Sequence, residues 1–199
     1  FMPKLWKSRS YFYPGLYFIS KQIAKATRIL VADSAPPYTI CEHNLNFPDD
    51  IRNKVEYVGH FSNRKLANSG SQTDLERLVD GTDFGYWMRT GNKSTNDGTG
   101  KRYEEVFRET DMNDERRIIS HAKNDKSIDG VIGKDGKKYS IKEAYEKKID
   151  WIQIDIGFLT EQEMQTVLTI CKYAVINGSH TIMGEIIGMN SKPIIGMPI

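Results

Sequence analysis

The sequence predicts an α/β fold built on a doubly wound, mostly parallel sheet, and three observations predict it. Short β-rich apolar runs alternate with stretches at helical spacing through the second half of the chain. One helical stretch opens with a capping-box pair, Thr160 and Glu163, three residues apart. A single hairpin signal, Asp135-Gly136, interrupts the alternation. Such alternation favours parallel strands joined by right-handed crossovers, the Rossmann-like arrangement.

Taken in order, the opening "FMPKLWKSRSYFYPGLYFIS" is aromatic, basic and twice broken by proline, which suits an extended segment packing its rings on another surface. Ile19, Ile23 and Ala26 recur at helical spacing, and "RILVA" (Arg28 to Ala32) reads as a short buried strand stopped by Asp33-Ser34-Ala35-Pro36-Pro37. "VEYVGHF" (Val55 to Phe61) is a second strand, and the Ser/Asn-rich stretch after it has linker composition. Residues 1–58 are therefore expected to end one domain, 59–82 to form a linker, and 83–199 to form the larger unit. In that unit "DFGYWMRTG" is a strand, "GNKSTNDGTG" a glycine-rich loop and "KRYEEVFRE" a short helix. "RRIISHA" (strand), "VIGKDGKKYSI" (hairpin), "KEAYEKK" (helix), "WIQIDIGF" (strand), "TEQEMQTVLTICK" (helix) and "YAVI" (strand) follow. A last helix-like stretch then leads to an apolar strand ending at Pro198-Ile199.

Composition sets the outer limits. The 199 residues are 39% hydrophobic and 27% charged, enough apolar material for a sizeable core. A net charge of +2 lacks the basic excess expected of a nucleic-acid binder. Cys41 and Cys171 are far apart with no metal-ligand spacing, so no disulfide framework or zinc site is expected and a reduced, cytoplasmic setting is the default. No run is long enough to span a bilayer. The chain opens on Phe1-Met2 and stops on a strand, and it is read as a piece of something longer.

In an open α/β sheet, ligands gather at the carboxyl ends of strands, so three loops carry the candidate residues. The first is Thr90 to Gly100, where Gly91, Asn92, Thr95 and Gly98 would let backbone approach a phosphate, although the run matches neither glycine-rich nucleotide fingerprint. A plain mobile loop is its alternative. The second is Gly157-Phe158-Leu159, whose aromatic could flank a nucleobase or staple the next helix. The third is Gly178-Ser179-His180-Thr181, between "YAVI" and a helix, where amides and hydroxyls would face an anion and Glu185 could accept from sugar hydroxyls. Simple helix capping is the competing reading. His43 and His121 have no partner at a convincing ligand spacing and are read as structural. The charge run "KDGKKYSIKEAYEKK" is read as a solvated face, with an anionic membrane surface as its alternative use.

The run "GFLTEQEMQTVLTICKYAVINGSHTIMGEIIGMNSKPIIGMPI" resembles the donor-binding half of GT-B glycosyltransferases, especially the MurG-type N-acetylglucosaminyltransferases and their archaeal relatives. Upstream, "RILVADS" and "KVEYVGHF" look like the end of an acceptor domain crossing to the donor domain. By that resemblance the chain would be a GT-B donor domain, truncated at its C-terminus, with a short remnant of the acceptor domain. The Gly91–Gly100 loop would face the diphosphate of a UDP-sugar, Phe158 and Leu159 would border the uracil, Ser179, His180 and Thr181 would hold phosphate, and Glu185 the ribose. The family pattern is T-x-x-E, whereas Thr181 and Glu185 stand one residue further apart, a rotation of about 100° around a helix.

The resemblance implies an inverting transferase needing no metal or cofactor. Its partners would be a UDP-sugar and an acceptor hydroxyl on a lipid-linked or protein carrier, with peripheral contact at the inner membrane surface and no nucleic acid. Asp33 and His60 are the nearby candidates for chemistry; otherwise the base would come from the absent first domain, and the fragment would be inactive alone. A non-catalytic nucleotide-binding or interaction module, such as one subunit of a two-chain transferase, is the rival reading. A sugar-nucleotide epimerase is a third, but the acidic and histidine cluster it needs is not visible.

Overall fold

The computed structural model describes residues 22–23, 25–37, 39, 52–60, 71–91, 93–177, 180–190 (backbone only at 180, 181, 189 and 190) and 193–196. The aromatic opening segment, residues 19–21 and 24 of the first helical stretch, Cys41, His43, Asn92, Gly178, Ser179 and the final Pro198-Ile199 lie outside the described residues. The chain divides into two compact units, 1–61 and 62–199.

In the first unit, β1 (Ile29–Val31) pairs in parallel with β2 (Val55–Tyr57), Ile29 opposite Val55. Val31 is buried among Ile23, Ile29, Val55 and Tyr57. The run expected as a buried strand is covered on one face only, and Leu30 on the other face is 64% exposed. Parallel pairing of two short strands fits the alternating pattern, whose connection runs across residues 32–54.

The second unit is a seven-stranded mixed sheet flanked by helices on both faces. Its strands are β3 (Gly85–Met88), β4 (Arg117–Ser120), β5 (Gly130–Gly133), β6 (Lys138–Tyr139), β7 (Trp151–Ile156), β8 (Tyr173–Ile176) and β9 (Ile194–Gly196). Its helices are α1 (Asp74–Val79), α2 (Lys93–Glu109), α3 (Ile141–Glu146), α4 (Glu161–Ile170) and α5 (His180–Asn190). Across the sheet the order is β6-β5-β7-β4-β3-β8-β9. The pairs from β7 to β9 are parallel, while β5 runs antiparallel to both β6 and β7. The expected hairpin at Asp135-Gly136 therefore forms one edge of the sheet. Among the five parallel strands the order of appearance is third, second, first, fourth, fifth, so the chain reverses direction between β3 and β8.

Strand periodicity sorts the side chains onto two faces. Tyr86, Ile118, Ile154 and Ala174 form one cross-strand row, packed against Leu75, Leu78 and Val79 of α1, Val167 and Leu168 of α4, and Ile182 and Ile186 of α5. Each such buried side chain contributes about 1.5–3 kcal/mol of burial. On the opposite face Val175, Trp87 and Ile119 line up beneath Tyr103 and Phe107 of α2. That row continues into Asp155 on β7, where the apolar character ends. Among the described residues no helix is long and apolar enough to cross a membrane.

Two local expectations change. The 59–82 span expected as linker contains α1, which starts at a capping box: Thr73 accepts from the Glu76 amide at 3.3 Å and the Glu76 carboxylate accepts from the Thr73 amide at 2.7 Å. The Ser/Asn-rich residues just upstream hide this single apolar turn of Leu75, Leu78 and Val79. The loop expected from Thr90 to Gly100 is cut short, because α2 begins at Lys93 and runs for 17 residues. Gly98 and Gly100 lower helix propensity, but the Trp87–Tyr103–Phe107 packing holds the helix together, with Trp87 4.8 Å from Tyr103 and 4.5 Å from Phe107.

Glu76 is also a tertiary pin. Its carboxylate accepts from Gln162 at 2.8 Å and Thr166 at 2.7 Å on α4. Burial works to raise its pKa, but the hydrogen bonds from Thr73, Thr166 and Gln162 together hold it below the ordinary 4.5. With the folded value depressed, this stabilisation is present above pH 4.5 and is lost as pH falls through the folded-state pKa. Glu76→Ala is expected to lower unfolding free energy by about 2–3 kcal/mol at pH 7, since charged hydrogen bonds and a cap disappear together. Urea unfolding at pH 7 and pH 3 checks this, and the difference between variant and parent should shrink at pH 3.

Candidate functional site

The reversal between β3 and β8 makes their carboxyl ends the place to look for a ligand crevice. There the ladder stops and side chains take over. Asn177, just after β8, donates from Nδ2 to the Thr90 carbonyl at 2.8 Å, and the Thr90 hydroxyl donates to Asn177 Oδ1. Beneath them the Tyr103 hydroxyl, 2.5 Å from the Met88 carbonyl and 3.3 Å from that of Val175, fills the gap between the diverging strands. Gly91 then turns the chain at φ +99°, a conformation that favours glycine, and α2 starts two residues later.

Beside this crevice runs a ladder of polar side chains, from Arg89 after β3 and His121 after β4 to Asp155 and Gln153 within β7 and Arg117 at the start of β4. Arg89 follows β3 and donates through Nε and Nη2 to the Asn96 carbonyl at 3.2 and 2.9 Å. Its Nη1 lies 3.1 Å from His121 Nδ1, and His121 Nε2 lies 2.8 Å from Asp155 Oδ1. Guanidinium can only donate, so in this geometry Nδ1 accepts from Arg89 and Nε2 faces the Asp155 carboxylate as donor. Gln153 donates to the other Asp155 oxygen at 2.9 Å and accepts from Arg117 at 2.8 Å. Arg117 also stacks 3.9 Å over the Phe107 ring, and its burial draws its pKa down while Asp155 opposes the shift.

Two glycines admit this arrangement. A Cβ on Gly100 would lie 2.5 Å from the Arg89 guanidinium, and one on Gly157 would lie 2.4 Å from the Asp125 carbonyl, where the loop after β4 crosses the end of β7. Ala122 in that loop takes φ +50°. A cavity of about 110 Å³ sits against the ladder, bounded by Arg89, Tyr103, Glu104, Phe107, Gln153 and Asp155. Asn96, 3% exposed, uses Nδ2 on the His121 carbonyl at 2.8 Å and leaves Oδ1 without a partner among the described residues.

The residues singled out from sequence are distributed as follows. Gly91 is in the turn at the crevice. Thr95 and Gly98 lie inside α2, with the Thr95 carbonyl accepting from Thr99 at 2.9 Å. Phe158 is 67% exposed, whereas Leu159 is 4% exposed and belongs to the main core. Asn92, Gly178 and Ser179 lie outside the described residues. His180 and Thr181 open α5, and Glu185 is half-buried one turn on. In the first unit Asp33 and His60 do meet: Asp33 is fully buried, accepts from Ser34 N and the Thr39 hydroxyl at 2.7 Å each, and lies 3.6 Å from His60 Nε2. The charge run is exposed and largely self-paired, with Lys147–Glu143 at 2.6 Å and Lys142–Glu146 at 3.8 Å.

Sequence reasoning missed Arg89, His121, Asp155 and Asn177. His121 was judged by nearby sequence spacing, but its carboxylate is 34 residues away on the neighbouring parallel strand. The usable signal was position: each of Arg89, His121 and Asn177 is the first or second residue after a strand. No family model, curated protein or solved structure matches this chain.

The helix termini differ in charge. α1, α3 and α4 have Thr73, Ser140 and Thr160 as N-caps and acidic residues in their first turns. α2 and α5, which start on either side of the β3/β8 crevice, have no acidic residue there.

His121→Leu is expected to cost about 2–3 kcal/mol, because Arg89 and Asp155 each lose a buried partner. His121→Gln, able to accept from one and donate to the other, should recover part of it, and denaturant unfolding of the three proteins checks the order. Burial raises the Glu185 pKa above 4.5, with Glu161 adding repulsion. Its contribution is therefore present below pH 4.5 and lost as pH rises through the folded-state value. Glu185→Gln should be more stable than the parent at pH 7 and indistinguishable from it near pH 4.

Proposed function

We propose that residues 62–199 are the nucleotide-sugar donor-binding unit of a GT-B glycosyltransferase, which takes a sugar from UDP-sugar to an acceptor hydroxyl. The observation that carries this reading is the pair of acid-free helix N-termini, α2 and α5, flanking the β3/β8 reversal. Backbone amides there would face the diphosphate, and the macrodipoles would add partial positive charge. Gly91 allows close backbone approach, and the Thr90–Asn177 pair fixes the spacing of the two strand ends. Through the GT-B resemblance, the exposed Phe158 ring would border the base and Glu185 would serve the ribose.

In the reaction, the acceptor oxygen forms the bond to the anomeric carbon as the bond to the diphosphate breaks. The electron pair leaves on the diphosphate oxygen, where preorganised donors stabilise it. The acceptor proton goes to a base supplied outside this unit. Within the unit the polar groups of the ladder are committed to one another, which supports a binding role rather than a catalytic one. That same commitment supports the rival reading, a nucleotide-binding subunit whose partner chain carries the chemistry.

Calorimetry of the 199-residue chain with UDP, UDP-N-acetylglucosamine, GDP and ADP, with and without magnesium, tests the proposal. Uridine-selective binding is expected without the metal. Asn177→Ala should weaken it about tenfold by loosening the crevice. A folded chain that binds none of these nucleotides would sink the reading.

A further inference from the structure

A second cavity lies away from this crevice. It opens at the amino ends of β4 and β7, measures about 550 Å³, and is bounded by α1, α3 and the segments entering those strands. That volume falls within the range of small-molecule sites. Three cations line it from three separate elements: Arg77 of α1, Arg116 before β4, and Lys148 before β7. Two aromatic rings stand beside the arginines, with Arg77 5.9 Å from the Tyr145 centroid and Arg116 5.6 Å from that of Trp151.

The acids of the cavity already have cations. Asp150 is held by Arg116 at 2.6 Å and by Lys134 at 2.9 Å, and Glu146 pairs with Lys142 at 3.8 Å. Arg77 has only a 3.9 Å approach to Asp74, itself half-exposed. Lys148 has no ion pair among the described residues. The cavity is thus left with unspent positive charge beside an exposed aromatic ring, Tyr145.

Lys148 is also where the backbone is least suited to a side chain. After α3 the Lys148 amide donates to the Tyr145 carbonyl at 3.2 Å and the Ile149 amide to the Ala144 carbonyl at 2.9 Å, the two bonds of a Schellman motif. That motif places Lys148 in the left-handed region at φ +50°, the position where glycine is the usual occupant. A lysine held there carries strain that glycine would relieve, and strained backbone of this kind concentrates at functional sites.

We propose that this amino-end cavity binds a monophosphate carried on a planar ring, a nucleoside or aryl monophosphate. Lys148 and Arg77 take the phosphate, and the ring stacks against Tyr145. The guanidinium of Arg116, fixed by Asp150 and by its bond to the Trp151 carbonyl at 3.1 Å, forms the rigid wall. This site is independent of the crevice at the carboxyl ends and does not rest on the nucleotide-sugar reading.

The test titrates the 199-residue chain with AMP, UMP, phenyl phosphate and inorganic phosphate, following backbone amide shifts by NMR. Shifts are expected at 77, 145, 148 and 151, with the ring-bearing phosphates at least about tenfold tighter than inorganic phosphate. Lys148→Gly should raise the thermal midpoint by about 1–3 °C while weakening phosphate-ester binding about tenfold. Arg77→Gln should weaken it similarly, and neither variant should alter UDP-sugar binding. Unchanged affinity in Lys148→Gly, shifts confined to residues 89–96 and 177–186, or equal affinity for inorganic phosphate would each overturn the proposal.

Discussion

The second unit depends on one constraint: where β3 and β8 part company, buried backbone carbonyls have lost their ladder and must still be satisfied. Tyr103 supplies the answer from above. Its hydroxyl, held at 2.5 Å from the Met88 carbonyl, fixes the height and rotation of α2 over the sheet. With that rotation set, the Tyr103 and Phe107 rings close on Trp87 in edge-on geometry, and Gly100 faces Arg89. The guanidinium then has room to reach both the Asn96 carbonyl and His121. The polar ladder is therefore downstream of a packing decision made at the central strand.

Much of the architecture was legible because it is written in local pattern. The β-rich runs at 85–88, 117–120, 151–156 and 173–176 and the Thr160–Glu163 capping box read correctly because strand burial and helix starts leave local marks. What escaped was decided by partners distant in sequence. The helix over "KSTNDGTG" has a poor intrinsic propensity, and it forms because Tyr103 and Phe107, further along, anchor it to Trp87. The helix at 74–79 is short, and it is fixed by the packing of Leu75, Leu78 and Val79 in the core and by the Glu76 bonds to α4. The site was less legible than the fold: His121 has a meaning only beside Asp155 and Arg89, and strand order, which sequence does not state, brings them together.

The ladder is a floor rather than a hand. Arg89 spends its donors on a carbonyl and an imidazole, the imidazole spends both nitrogens, and Asp155 accepts from His121 and Gln153. A network so fully committed stiffens the strand ends, and a half-satisfied one would be worse than an apolar core. The first turns of α2 and α5 lie at this same edge.

The two ends of the sheet carry positive charge in different ways. At the carboxyl end the charge is partial, spread over backbone dipoles, and falls off within a helical turn. At the amino end the charge is whole, carried on long side chains that stack against rings, and Lys148 is kept at a backbone position where glycine would be more comfortable. Short helices and a strained cap are poor places to store stability, and residues of α1 and α3 border the cavity at this end of the sheet. The cost of the left-handed lysine falls on α3 alone, whose Schellman bonds remain intact, so the central sheet does not carry it.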